Sequence, residues 1–261
     1  MEKINLTDFY KRQLKKFYLV VYVITKEIKI RTDTCIKDKD VYVLFGVDIM
    51  GNRQIIGIYF NNENNNRFWL EKFEDIKARK CEEILYLVTP KDRNIERCIK
   101  IMYNNVKIIH SPEEIYMGIS KFFAEKPFRK IQTNFKNLFF AENKEKYTEE
   151  SKMFKEIYMD NKLIMMLLEK KENEIEEFYK YDYSMRKLLY PFFSIKEMKK
   201  QLNKIRTKDK LCTNINEVIE YFLPYINSFE RARSYSKMEW WNLISNIYDE
   251  NIDILEEYIN G

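Results

Sequence analysis

The fold of this chain is decided by a stretch that reads Gly46-Val47-Asp48-Ile49-Met50-Gly51-Asn52-Arg53-Gln54-Ile55-Ile56-Gly57-Ile58-Tyr59-Phe60. Its centre, Met50-Gly51-Asn52, is a turn signature, because glycine readily adopts the left-handed backbone conformations that tight turns require. Residues 41–47 and 54–60 flank the turn and are rich in apolar and β-branched side chains. The sequence therefore predicts that these two segments pair as a β-hairpin.

Segments with clear strand or helix patterns surround this hairpin. Apolar residues alternate at Ile24, Ile28 and Ile30, which is typical of a strand, and a continuously apolar run indicates a strand at the centre of a sheet. The additional predicted elements are strands at 17–31, 83–88 and 106–109 and helices at 68–79 and 95–102. The predicted order along the chain is three strands, a helix, a strand, a helix and a strand. This order favours a mixed sheet covered by helices.

The second half of the chain has a different character. Four of the five glycines precede residue 119, and from Pro112 onward the pattern is helical, with many charges in residues 149–170 and 172–183. The sequence therefore divides into a first half that contains the sheet and a helical second half.

Composition excludes several classes of protein. The 46 basic and 41 acidic residues give a net charge of +5, which permits contact with a polyanion without demanding it. The four cysteines and the single histidine, His110, have no zinc-site spacing, so we expect four buried or half-buried free thiols in a reducing cytoplasm. No apolar run is long enough to predict a membrane span.

A wider block of the sequence begins at Gly46 and runs through Asn65-Asn66-Arg67-Phe68-Trp69-Leu70 to Leu87-Val88-Thr89. This block resembles the catalytic domain of the mutator-family transposases of bacterial insertion sequences. Residues 187–205 continue the resemblance, and Trp240-Trp241-Asn242 is similar to the family's tail. The family's N-terminal DNA-binding region has no counterpart in these residues. The resemblance implies an α/β fold, an RNase H-like mixed sheet with helices, plus a large all-α insertion and a helical C-terminal region. The expected segments are a core at 1–115, a helical insertion at 116–185, and a returning core helix with C-terminal helices at 186–261.

In folds of this kind three carboxylates hold two divalent metal ions, which activate the attacking oxygen and stabilise the leaving one. Carried over from the family, the first acid position lies seven residues before Arg31 and falls on Ile24. The second directly follows Leu87-Val88-Thr89 and falls on Pro90, and the third falls on Lys196, within Leu189-Tyr190-Pro191-Phe192-Phe193-Ser194-Ile195-Lys196. None of the three is an acid, and an ammonium group repels a divalent cation. These positions predict no metal, no cofactor and no catalytic activity.

One candidate binding surface is basic and helical. Ile195, Met198, Leu202 and Ile205 form an apolar stripe, and the lysines lie on the opposite face or at its edge. Both phosphate contact and a solvated helix face are compatible with this pattern. Trp69 is expected in the core, whereas the adjacent Trp240 and Trp241 cannot share a helix face, so one is expected to be exposed. The predicted binding residues are Lys196, Lys199, Lys200, Lys204, Arg206 and Trp241.

Three hypotheses follow. In the first, a catalytically inactive, transposase-derived domain acts by binding nucleic acid or a nucleic-acid-bound protein, as a regulator, a competitor or an inhibitor. A mobile-element- or phage-borne antagonist of a host defence nuclease belongs to this class. In the second, displaced acids, Asp92 and Glu197, support a residual metal-dependent DNA transposase or nuclease. In the third, the gene product is degenerate and has no selected activity. No membrane partner is expected, and the oligomeric state is open, a dimer included.

Overall fold

The computed structural model describes residues 6–31, 35–61, 64–111, 125–205, 212–232 and 235–259. The chain divides into two compact units, one formed by Met1–His110 together with Phe192–Gly261 and the other by Ser111–Pro191. The first unit is therefore assembled from two stretches that are distant in the sequence.

The first unit contains a five-stranded mixed sheet. The strands are β1 (Phe17–Arg31), β2 (Ile36–Val47), β3 (Arg53–Asn61), β4 (Glu83–Thr89) and β5 (Lys107–His110), in the spatial order β3-β2-β1-β4-β5. β1 pairs antiparallel with β2 and parallel with β4, and β5 is parallel to β4. The predicted mixed α/β architecture is confirmed. Strand β4 lies inside the sheet, between β1 and β5, and its sequence is continuously apolar because both of its faces are buried.

The predicted hairpin is also confirmed, with β2 and β3 antiparallel. Asp48 closes its turn: one carboxylate oxygen accepts hydrogen bonds from the backbone amides of Met50 at 2.9 Å and Asn52 at 2.8 Å. Gly51 has a φ of +78°, so the turn uses the conformation that glycine adopts without steric cost. Aspartate is well suited to this position because its short side chain can bond to the backbone two residues further on.

Two helices cover one face of the sheet. They are α2 (Asn66–Ala78) and α3 (Arg93–Met102), and Asn65 caps the first of them by accepting from the amide of Phe68. Trp69 is fully buried in a cluster with Phe73 and Ile99, so the prediction that it is a core residue is confirmed.

Helices from both ends of the chain join the first unit. They are α1 (Leu6–Lys11), α8 (Phe192–Ile205), α9 (Ile215–Arg231), α10 (Lys237–Glu250) and α11 (Ile252–Ile259). α8 packs against β1, and α9 packs against β3 and α8. Phe229 of α9 meets Phe45 edge to face, and Phe45 in turn stacks on Tyr22 of β1. The even-numbered residues of this part of β1 therefore point toward α8 and α9.

The second unit is helical, as its periodicity predicts. Its described helices are α4 (Glu125–Phe140), α5 (Lys144–Tyr158), α6 (Lys162–Phe178) and α7 (Tyr183–Leu189). The helical pattern at 149–170 is interrupted at Asn161, whose side chain caps α6 by accepting from the amide of Ile164. Arg186 is buried in this unit, where its guanidinium donates to the carbonyl oxygens of Ala141 at 2.8 Å and Glu142 at 3.0 Å.

Two predictions about the chain's general properties can be compared with the structure. Cys81 and Cys98 are buried and Cys212 is half-buried, but Cys35 is exposed, so the expectation that all four thiols are at least half-buried is wrong for Cys35. It directly precedes β2, at the far end of the hairpin from the turn, where water reaches it. In the part of the chain that the structure describes, no helix is long and apolar enough to cross a membrane.

Candidate functional site

The first two acid positions that the resemblance implies lie beside each other in the sheet. Tyr22 of β1 is the partner of Val88 in β4, and two residues further along these parallel strands come Ile24 and Pro90. Ile24 is buried, and because it has the same parity as Tyr22 it points toward α8. Pro90 directly follows the last residue of β4 and is half-buried. The sheet therefore brings two positions together that are 66 residues apart in the sequence.

The basic face of α8 is confirmed. Ile195, Met198 and Leu202 are buried, whereas the side chains on the opposite side of the helix are exposed. The exposed lysines are Lys196, Lys200 and Lys204. Lys199 is half-buried at the edge of this face, and Arg206 lies outside the described residues. Three ammonium groups that follow one face of a helix make a surface suited to successive phosphates of a polyanion.

Neighbouring elements show which way the sides of α8 face. Ser194 lies on the side toward α9, because its hydroxyl accepts from Arg53, whose guanidinium packs on Phe229 of α9. Glu197 follows Ser194 by three residues and therefore lies on the same side of α8. Lys199 is about 200° further around the helix and Lys196 is on the same flank, so both lie on the side away from α9. Since α9 packs on β3, this second flank faces the β4 side of the sheet, where Pro90 lies.

The two displaced acids already have partners. Asp92 caps α3, and its carboxylate accepts from the amides of Asn94 at 2.8 Å and Ile95 at 3.4 Å and from the side chain of Asn64. The carboxylate of Glu197 accepts from the side-chain amide of Gln201 at 2.5 Å and lies 3.8 Å from the ammonium of Lys200. Asp92 follows β4 and Glu197 faces α9, so the fold does not bring them to one point.

An arginine that the sequence analysis did not single out anchors the start of α8. Arg53, the first residue of β3, donates a hydrogen bond to the hydroxyl of Ser194 at 3.1 Å. Its guanidinium lies 4.2 Å from the centre of the Phe229 ring, and burial lowers the pKa of Arg53 from its ordinary value. These contacts connect the hairpin, α8 and α9. A sequence offers little signal for them, because Arg53 and Ser194 are 141 residues apart.

The metal site that the resemblance implies can be tested against these residues. Hard divalent cations require several oxygen ligands at one point. Among the residues that the structure describes, no three His, Cys, Asp or Glu side chains form a group that could hold a metal ion. The described residues therefore do not match the three-carboxylate set that the family uses.

The two adjacent tryptophans are arranged as predicted. Trp240 is buried and its indole N–H donates to the carbonyl oxygen of Ile49 at 2.8 Å, whereas Trp241 is 56% exposed. One indole thus fixes α10 to the hairpin turn, and the other presents a flat apolar face to solvent, which is the property a binding residue needs.

Comparisons with known proteins place this sequence in a family. The model of the mutator family of transposases matches residues 2–223. A transposase for insertion sequence element ISRM3 from Rhizobium meliloti (strain 1021) is 20% identical over 76% of this chain and 50% of its own length. A probable transposase for an ISRM3-like element from Sinorhizobium fredii is 30% identical over 31% of this chain and 20% of its own length. The chain spans about half the length, or less, of the curated relatives that it matches.

These findings correct one prediction. The expectation that the chain is not an enzyme is wrong, because both the matching family and the curated relatives are transposases, and transposases are enzymes. The findings also favour the transposase hypothesis over the hypothesis of a regulator or inhibitor, which they do not support. The chain belongs to the mutator family of transposases.

Proposed function

We propose that this chain is a DNA-acting domain of the transposase type, which binds DNA along the exposed face of α8 and takes part in DNA cleavage and strand joining. The observation that carries the proposal is the family match over residues 2–223, which includes the whole of the sheet and α8. The cytoplasm, where bacterial DNA lies, is the compartment that the same proposal implies.

The sheet supports the proposal that the fold is RNase H-like. A central strand, β1, has an antiparallel hairpin on one side and parallel strands, reached through helices, on the other. α8 returns across β1 after the helical unit, as the resemblance implies for the last helix of the core. In this arrangement the reacting DNA strand would lie where β1 and β4 run side by side.

Charge supports DNA as the substrate. Lys196, Lys200 and Lys204 are exposed on one side of α8, and Lys196 and Lys199 are on the flank that faces the β4 side of the sheet. A strand that follows α8 would place its phosphates on these ammonium groups while its sugars and bases reach the end of β4. The proposed binding residues are the four lysines named here, Arg206 and Trp241.

The binding part of the proposal is tested by the salt dependence of affinity for duplex DNA, measured by fluorescence anisotropy. Each phosphate contact contributes about 0.9 to the slope of log affinity against log salt. A Lys196→Ala/Lys200→Ala/Lys204→Ala variant is therefore expected to bind more weakly, with a slope about 2.7 smaller. The control, Lys77→Ala/Lys100→Ala, removes two exposed lysines of α2 and α3 on the other face of the sheet and should leave the slope nearly unchanged. An equal effect of both variants would refute the assignment of the α8 face.

The catalytic part is tested by incubating the protein with DNA substrates and Mg²⁺ or Mn²⁺ and measuring strand cleavage and joining. Asp92→Asn is the informative variant, because asparagine caps a helix as well as aspartate does but carries no charge. Loss of cleavage in Asp92→Asn with an unchanged melting temperature would assign Asp92 to the reaction. Glu197→Gln is the corresponding variant on α8. Absence of cleavage by the unmodified protein on all DNA substrates would overturn the catalytic part while the binding part is judged by its own assay.

A further inference from the structure

A cavity of about 340 Å³ opens between the hairpin turn and the first turn of α10. This volume is at the lower end of the range for small-molecule sites in proteins, which suits a compact ligand. The residues that line it are Met50, Gly51, Asn52, Tyr235, Lys237 and Trp241, together with Ser236 and Trp240. We call it the hairpin–α10 pocket.

The inner wall of this pocket is aromatic and held firmly in place. The indole of Trp240 donates to the carbonyl of Ile49, and its ring lies so close to Gly51 that a Cβ atom there would be 2.9 Å from it. The ring of Tyr235 is 5.6 Å from the Trp240 ring, centre to centre. The wall is therefore formed before any ligand arrives, which lowers the entropic cost of binding.

The rim combines an exposed aromatic face with positive charge. Trp241 is 56% exposed and Met50 is 58% exposed. Lys237 lines the pocket and is exposed, so its ammonium supplies the positive charge. The nearby acid Glu239 is engaged in the capping box, where its carboxylate accepts from the amide of Ser236.

We propose that the hairpin–α10 pocket accepts one unpaired nucleobase of a DNA strand, with Trp241 as the stacking surface and Lys237 near a flanking phosphate. A nucleobase has two flat faces that stack on aromatic rings, and it is connected to anionic phosphates. The pocket offers the complement of both properties within one turn of helix. The inference rests on the proposed DNA-binding function, and it goes beyond the family match because residues 235–241 lie outside the matched stretch.

A second copy of this chain is the other occupant that the exposed apolar rim allows. A symmetric contact through this surface would bring the two Lys237 ammonium groups together, and like charges at close range repel. The positive rim therefore favours a polyanionic occupant over another copy.

The test compares two DNA duplexes that carry the same number of phosphates. One has a single unpaired nucleotide with its base, and the other has an abasic nucleotide at the same position. The protein is expected to bind the duplex with the base about 5- to 150-fold more tightly, the contribution of one stacked base, in anisotropy titrations at a single salt concentration. Trp241→Ala should reduce this ratio to about one, and Trp241→Phe should retain most of it.

Two controls separate this inference from the proposed function. Met238→Ala changes an exposed residue of the same helix that does not line the pocket, so the ratio should persist. The triple lysine variant of α8 should weaken binding to both duplexes and leave their ratio unchanged. A ratio near one for the unmodified protein, with DNA still bound, overturns the pocket and leaves the DNA-binding function intact. The protein could also form a concentration-dependent dimer that Trp241→Ala abolishes without changing the ratio of the two affinities. That result would show a contact between copies and would overturn the inference about the pocket. Failure to bind either duplex overturns both proposals.

Discussion

Replacing Glu230 with alanine should destabilise the first unit strongly. Glu230, near the end of α9, accepts two hydrogen bonds from the guanidinium of Arg12, at 2.8 and 3.1 Å, and one from the backbone amide of Ile55 in β3, at 2.7 Å. The side chains of Arg12 and Glu230 are only 14% and 17% exposed. One carboxylate therefore connects the segment after α1, strand β3 and helix α9.

The magnitude follows from what Glu230→Ala leaves behind. The amide of Ile55, a fully buried residue, loses its partner, which costs about 1–3 kcal/mol. Arg12 keeps a hydrogen bond to the carbonyl oxygen of Ile55 but becomes a mostly buried charge without a counter-ion. Removing one partner of a buried ion pair costs about 3–5 kcal/mol in total. We therefore expect the free energy of unfolding to fall by about 3–5 kcal/mol.

Urea unfolding followed by tryptophan fluorescence measures this loss in the first unit alone. All three tryptophans, at positions 69, 240 and 241, belong to that unit. The midpoint should fall while the slope against urea stays constant, because the substitution changes stability rather than the surface exposed on unfolding. Glu220→Ala, on the exposed side of the same helix, should stay within about 0.5 kcal/mol of the unmodified protein. A loss below about 1 kcal/mol for Glu230→Ala would show that the pair is not the connection described here.

Three further predictions concern the turn, the thiols and the pH dependence. Gly51→Ala should lower the free energy of unfolding by about 1–3 kcal/mol, measured by urea titration, because alanine is strained at a φ of +78° and its Cβ meets the Trp240 ring. Cys35 should react with a thiol reagent in the native protein, whereas Cys81 should react only after unfolding, since burial raises the pKa of its thiol to about 12; rapid native labelling of Cys81 would contradict this burial. The pKa of Tyr225 is raised, first by burial and then by Glu197, to about 12. The unfolded state therefore loses this proton first, and stability should fall between about pH 10 and pH 12, less so in Tyr225→Phe.

The hairpin shows how far local patterns reach. Met50-Gly51-Asn52 between two apolar segments predicts a turn because the turn needs a residue that tolerates a positive φ, and Gly51 supplies it. The spacing of Ile195, Met198 and Leu202 likewise predicts which side of α8 is buried, since helical periodicity is a local property.

The candidate site was predictable only in part. The resemblance identified the family, and the basic face of α8 and the exposure of one of two adjacent tryptophans were expected from spacing. The expectation that the chain is not an enzyme was wrong, because single residues at carried-over positions are a weak guide when the relatives are only 20–30% identical. The direction in which Glu197 points depends on α9, and no pattern within α8 contains that information.

The order of strands and helices, the hairpin and the amphipathic helix α8 follow from the sequence, because backbone conformation and side-chain periodicity depend on neighbouring residues. The Arg12–Glu230 pair joins residues 218 positions apart, and Trp240 meets the hairpin turn across 191. The hairpin–α10 pocket likewise forms only where two segments that are distant in the sequence, the hairpin turn and α10, pack together. These features required the folded chain, since they depend on how distant elements pack, and that packing is the sum of many weak contacts with no signature in any one segment.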